Sequence, residues 1–151
     1  MVVRILFVCH GNICRSPMAE FVMKDIVRKA GAEDDFVIAS CATSNEEIGN
    51  GVHYGTRNIL SQNGVPFEQR SARRLKSDEY DKWDYIIGMD EENIRGIMGI
   101  IGKDPENKVS LLMSHAGEDR AVEDPWYTGG FGKVYLDITK GCNALFGEIR
   151  K

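Results

Sequence analysis

The sequence predicts an α/β layer fold with a parallel sheet, on three observations. A nearly continuous apolar, β-branched run opens the chain, a Ser-Pro helix start follows it within ten residues, and strand-like and helix-like segments then alternate along the chain. With 151 residues, the chain is the size of one domain, expected to span 1–151. Apolar residues at 42% and charged residues at 28% are the usage of ordinary globular proteins, which removes disordered and fibrous classes.

Val2 to Val8, broken only by Arg4, reads as a strand buried on both faces. Ser16-Pro17 then announces a helix, with serine as N-cap and proline at the first helical position, carrying Met18, Phe21, Val22, Ile26 and Val27 at helical spacing and closing before Gly31. Phe36 to Ser40 is a second strand, joined by the polar loop Cys41–Gly51 to a helix over 53–63 that ends near Gly64. Ser77 is a candidate N-cap, Trp83 to Met89 a third strand, Asp90 to about Ile101 a helix, and Lys108 to Leu112 a fourth strand. Met113 to Gly132 lacks a period and is rich in Gly, Asp and Glu, and 133–149 forms a closing helix. Loops of that length in compact domains are usually functional or disordered, and this one holds Asp124-Pro125-Trp126-Tyr127.

A formal charge of −4 with signs mixed along the chain gives no global reason to bind nucleic acid or an anionic membrane, so any anion site is local. The opening apolar run is too short to span a membrane and lacks a cleavage site, so a cytoplasmic location is expected. Cys9, Cys14, Cys41 and Cys142 are accordingly expected as free thiols. His10, His53 and His115 show no metal-ligand spacing with them, and no cofactor or metal is expected.

The segment from Cys9 to Ser16, CHGNICRS, connects the first strand to the first helix, at the strand end where α/β sheets place ligands. Successive backbone N–H groups there form an anion-binding nest, and the helix terminus adds partial positive charge. Gly11 and Asn12 are the residue types that best tolerate left-handed backbone. The reactive form of cysteine is the thiolate, and nest, helix terminus and the guanidinium of Arg15 all favour negative charge on Cys9. Arg15 also matches phosphate geometrically, its planar fork holding two equatorial oxygens where a lysine would not. Ser16 can direct its hydroxyl to the sulfur. A cysteine and an arginine five residues apart are a weak signal alone; strand, glycine turn and helix start together strengthen it.

The string VCHGNICRSPMAE resembles the signature of the low-molecular-weight protein tyrosine phosphatases, and the later landmarks MDEEN (Met89–Asn93) and VEDPWY (Val122–Tyr127) extend the resemblance through nearly the whole chain. Membership implies a four-stranded parallel sheet flanked by helices on both faces, and metal-independent, two-step hydrolysis of phosphotyrosine and aryl phosphates. It assigns Cys9 as nucleophile, Arg15 as phosphate clamp and Asp124 as general acid, with Asn12, Ser16 and Ser40 in a supporting hydrogen-bond network. Independent chemistry agrees on the need for an acid: an aryl oxide leaves better if protonated as its bond breaks, and the same carboxylate then activates water. Trp126 takes the position of an aromatic wall, with Tyr127 after it, and Glu46 stands where animal members carry an aromatic residue. His10, Gly11, Asn12, Ile13, Cys14 and Ser16 complete the expected substrate-binding set. In the family, a partner at the position of Cys14 forms a reversible disulfide with the nucleophile, which makes a redox-sensitive enzyme the expectation. The basic stretch Arg70-Ser71-Ala72-Arg73-Arg74-Leu75 is read as a solvated face.

The partner implied is a tyrosine-phosphorylated protein, met by a monomer. Two alternatives share the scaffold. A protein-arginine phosphatase carries a small polar residue where this chain has the apolar Ile13, which suits an aryl ring better. A thioredoxin-coupled arsenate reductase needs a closely spaced downstream cysteine pair, which Cys41 and Cys142 do not form.

Overall fold

In the computed structural model, which describes residues 2–151, four parallel strands form one sheet in the order β2-β1-β3-β4. These are β1 (Val3–Cys9), β2 (Phe36–Ala42), β3 (Tyr85–Gly88) and β4 (Val109–Leu111). Between and after them run α1 (Arg15–Lys29), α2 (Tyr54–Gln62), α3 (Glu91–Ile101), α4 (Pro125–Thr128) and α5 (Phe131–Ile149).

The alternation of β1 builds two cores. Ile5, Phe7 and Cys9 face a layer that includes Met18 and Phe21 of α1 and Val134, Ile138 and Leu145 of α5, whereas Leu6 and Val8 face Ile97 of α3 together with Leu75 and Trp83. A strand buried on both faces must be apolar at every position, which is why the opening run shows no polar alternation. Helices therefore cover both faces, as expected. In this order the connection from β1 runs to β2 on one side and that from β3 runs to β4 on the other, so the crevice at the carboxyl ends of β1 and β3 is the topological switch point of the sheet.

Three local expectations need correction. The first helix begins at Arg15 with Cys14 as N-cap, so Ser16 lies inside the first turn and its hydroxyl is free for other work. Ser77 caps no α-helix; a turn and a short 3-10 segment, Tyr80–Lys82, follow it. The segment 113–132 is less irregular than its composition suggests. A 3-10 turn runs over Leu112–Ala116, α4 is capped by Asp124, and α5 starts at Phe131.

Candidate active site

Cys9 ends β1, its side chain buried, and its sulfur has three hydrogen-bond partners: Ser16 Oγ at 3.0 Å, and the Asn12 and Ser16 amides, which donate to it at 3.3 Å and 3.4 Å. The turn that brings the Asn12 amide round puts Asn12 in left-handed backbone, φ 59°. Gly11 is not left-handed. A Cβ there would press against the Glu47 side chain, 3.2 Å from its Cγ.

A buried polar network holds this shape. Asn12 Nδ2 donates to Ser16 Oγ (2.8 Å) and Ser40 Oγ (2.9 Å), and Ser40 in turn donates to the buried Glu20 (2.5 Å). Arg70 donates to the Asn12 carbonyl (3.1 Å) and to Ser40 Oγ (2.8 Å), while the Arg73 amide donates to Asn12 Oδ1 (3.3 Å). The Arg73 guanidinium forks onto both oxygens of the buried Glu79, each at 3.0 Å. Burial pushes the Glu79 carboxyl up, but the Arg73 fork and the Lys76 amide outweigh it and hold it below the usual carboxylate value. The basic stretch is therefore not a solvated face: Ala72 and Leu75 are buried, and Arg70 and Arg73 brace the loop from behind.

Arg15, its side chain 3% exposed, donates Nη1 to Asp90 (2.7 Å) and to the Val122 carbonyl (2.9 Å), and its Nη2 lies 3.6 Å from Asp124. Burial opposes its charge, but Cys9, Asp90 and Asp124 outweigh that and raise its pKa. Asp90 also caps α3 by accepting from the Asn93 amide (2.8 Å), so the guanidinium is tied to a rigid helix start. Asp124 caps α4 through the Trp126 amide (3.0 Å), leaving its second oxygen toward Arg15.

Cys9, His10, Gly11, Ile13, Cys14, Arg15, Glu46, Glu47, Asp124, Trp126 and Tyr127 line one pocket of about 200 Å³. The sequence-predicted residues thus come together, except that Asn12 and Ser16 do not line it; both are wholly buried behind the loop. Glu46 stands at the rim, paired with His10 at 3.0 Å. Cys14 is a free thiol, pushed up to about 12 by burial first and then by Cys9 and Asp124. Cys41 and Cys142 are buried in the cores. Among the described residues no cluster of three or more His, Cys, Asp or Glu is placed to hold a metal ion.

Sequence reasoning gave no role to Asp90, Glu20, Arg70, Arg73 or Glu47. Asp90 sat in view within MDEEN, but its partner Arg15 is 75 positions away. Nothing local marks the others.

Comparison with known proteins assigns the chain to one family. The family model described as low molecular weight phosphotyrosine protein phosphatase matches residues 4–151. The low molecular weight protein-tyrosine-phosphatase YfkJ of Bacillus subtilis is 39% identical over 151 residues, covering 99% of this chain and 97% of its own, and its crystal structure superposes with a TM-score of 0.93. The rat low molecular weight phosphotyrosine protein phosphatase is 36% identical over 93% of this chain and 92% of its own. The crystal structure of a Drosophila arginine phosphatase shares the fold with a TM-score of 0.87 at 29% identity, over 97% of this chain and 98% of its own.

Proposed function

Because the chain belongs to the low molecular weight phosphotyrosine protein phosphatase family and is accordingly a protein-tyrosine-phosphatase, we propose that Cys9 is its nucleophile, Arg15 its phosphate clamp and Asp124 its proton donor. One observation carries this: the thrice-hydrogen-bonded Cys9 sulfur, the Arg15 guanidinium and the Asp124 carboxyl face a single pocket.

The Cys9 thiolate attacks phosphorus as the bond to the aryl oxygen breaks, and that oxygen takes its proton from Asp124. Backbone amides of the loop and the Arg15 fork hold the equatorial oxygens, whose charge they stabilise in the transition state. Water then attacks the cysteinyl phosphate, giving its proton to the Asp124 carboxylate, and the sulfur leaves as a thiolate that Ser16 Oγ stabilises. Trp126 and Tyr127, 56% and 82% exposed, line one side for the phenyl ring, and Glu46 with His10 forms part of the rim.

The remaining parts of this reading are a single domain over 1–151, a cytoplasmic monomer acting on tyrosine-phosphorylated proteins, and a redox-sensitive nucleophile backed by Cys14. The second reading, phosphoarginine hydrolysis, draws support from the Drosophila neighbour. The apolar Ile13 on the pocket wall favours an aryl ring over a guanidinium.

The test is turnover of a phosphotyrosine peptide against a phosphoarginine peptide, with Cys9→Ser as control. Preference for phosphotyrosine, with turnover abolished and phosphate-analogue binding kept in Cys9→Ser, is expected. Residual activity above a few per cent in that variant would sink the covalent mechanism, and preference for phosphoarginine would overturn the substrate assignment.

A further inference from the structure

We propose that His53 is a positioning residue that fixes the Trp126 side of the pocket and so determines its preference for aromatic phosphate esters. This rests on the phosphatase reading above.

The indole of Trp126 rides on a short support. α4 is four residues long and is followed by Gly129 in left-handed backbone, φ 73°, so it cannot hold its own orientation by helical cooperativity. Backbone and carboxylate contacts place the start of this loop: the Val122 amide donates to the Met89 carbonyl (2.9 Å), and Asp124 stands by Arg15. None of these reaches the ring. Among the described residues, the aromatic partner of Trp126 is the His53 imidazole, edge-on at 5.4 Å between centroids and 75° between planes.

His53 is itself held from four directions. Tyr54 stacks on it at 4.5 Å and 27°, and Phe131 at 5.2 Å and 12°. The ring of Phe131 lies so close over the start of α2 that a Cβ on Gly55 would sit 2.5 Å from it, so a glycine is required there. The His53 amide donates to the carbonyl of Ile13 (2.8 Å), tying it to the phosphate loop. Its Nδ1 accepts from the Gly55 amide (3.0 Å), which caps α2 and makes the ring the neutral tautomer with its proton on Nε2. Burial, then Arg57, lower the pKa of the imidazole against the opposing effect of Glu47, in the same sense as the acceptor role of Nδ1. An uncharged, clamped ring at right angles to an indole is an edge-to-face pair, and it lies where loop, α2, α4 and α5 meet.

Two variants separate the ring from the cap. His53→Asn keeps a good N-cap acceptor and removes the ring; His53→Phe keeps the ring and removes the acceptor. Binding is read as competitive inhibition by phenylphosphonate and by inorganic phosphate, on an aryl phosphate substrate. If the wild-type chain does not turn that substrate over, the phosphatase reading fails and His53 is not at issue. Given activity, His53→Asn is expected to weaken phenylphosphonate roughly three- to tenfold, the size of a lost aromatic pair, with phosphate affinity unchanged and the loss in kcat/KM carried by KM. His53→Phe is expected to restore phenylphosphonate affinity. Wild-type phenylphosphonate affinity in His53→Asn, equal weakening of both inhibitors, no rescue by phenylalanine, or a His53→Asn chain too unstable to assay would each overturn the proposal. The last outcome would make the ring a core element and not a guide for Trp126.

Discussion

Replacing Asp124 with asparagine removes its transferable proton and the charge facing Arg15 while keeping the helix cap, and the dependence on leaving group singles out the proton. Its Oδ1 accepts from the Trp126 amide at 3.0 Å, and its Oδ2 lies 3.6 Å from Arg15 Nη2. Asparagine preserves the cap acceptor and the volume but has no transferable proton. An alanine would lose the cap as well, a cost of about 1 kcal/mol, or roughly fivefold if it passed entirely into the rate. General-acid catalysis contributes about 10²–10⁴-fold, which is far larger and, unlike the cap, depends on the leaving group. For phosphotyrosine, kcat/KM in Asp124→Asn should therefore fall about 10²–10⁴-fold, while aryl phosphates with strongly acidic phenols should lose about tenfold or less. The assay is kcat/KM across a series of phenols, because this ratio reports the first chemical step even where hydrolysis of the phosphoenzyme limits kcat. Two other carboxylates of the same loop are engaged elsewhere. Glu118 is bound to Arg120 and Lys140, and Glu123 to Thr128 and Lys133. A uniform loss across the series would show that Asp124 acts only through loop structure.

Three further outcomes follow from the contacts around the loop. Asp90→Asn keeps the acceptor for the Asn93 amide but removes the charge that holds the buried Arg15. A charged hydrogen bond of about 1.5–3 kcal/mol sets an expected fall in kcat/KM of roughly 10- to 100-fold, with α3 helicity intact by circular dichroism. Unchanged kinetics would leave the Val122 carbonyl as the sufficient anchor. Because burial holds the Cys14 thiol protonated, peroxide should attack Cys9 first, with Cys14 then closing a disulfide; Cys14→Ser should slow recovery in thiol, and peptide mapping that finds no Cys9–Cys14 link would reduce Cys14 to packing. Glu79 has a folded pKa below its usual 4.5, so its carboxylate contributes stability above that value, and this is lost as pH falls through the depressed one. Thermal melts of Glu79→Gln should show a shallower loss as pH falls below about 5 than wild type, and parallel curves would remove Glu79 from the linkage.

What was legible in the sequence was local. The β1 run, the helix spacing of α1 and the Cys9-to-Arg15 loop declare themselves within one strand, one turn and one helix start, because burial on both faces and left-handed turns each restrict residue type. Asp124 was legible only through the resemblance carried by VEDPWY, since Asp-Pro alone reads equally well as a turn. The illegible part is the bracing. Arg70 and Arg73 look like any solvated basic run until the fold brings them to Asn12, 58 and 61 positions away. His53 looks like a loop histidine until α4 and α5 close over it. The misread cap shows the same limit on a smaller scale: Ser16 is a good N-cap type, but its hydroxyl is drawn to the Cys9 sulfur and the helix starts two residues earlier.

The bracing explains how the loop is held ready for phosphate. Left-handed backbone at a non-glycine residue costs about 1–2 kcal/mol, and Asn12 adopts it at a fully buried position. Its side chain donates twice and accepts once, and its carbonyl accepts from Arg70, so these partners offset the cost of the left-handed turn. The same turn aims the Asn12 amide at Cys9. A buried network that is complete in the free protein leaves little reorganisation to be done when charge develops on a bound phosphoryl group, which is the condition under which fixed dipoles are most effective in a transition state. Removing Arg70 or Glu79 would therefore act on catalysis without touching the substrate, by letting that turn relax.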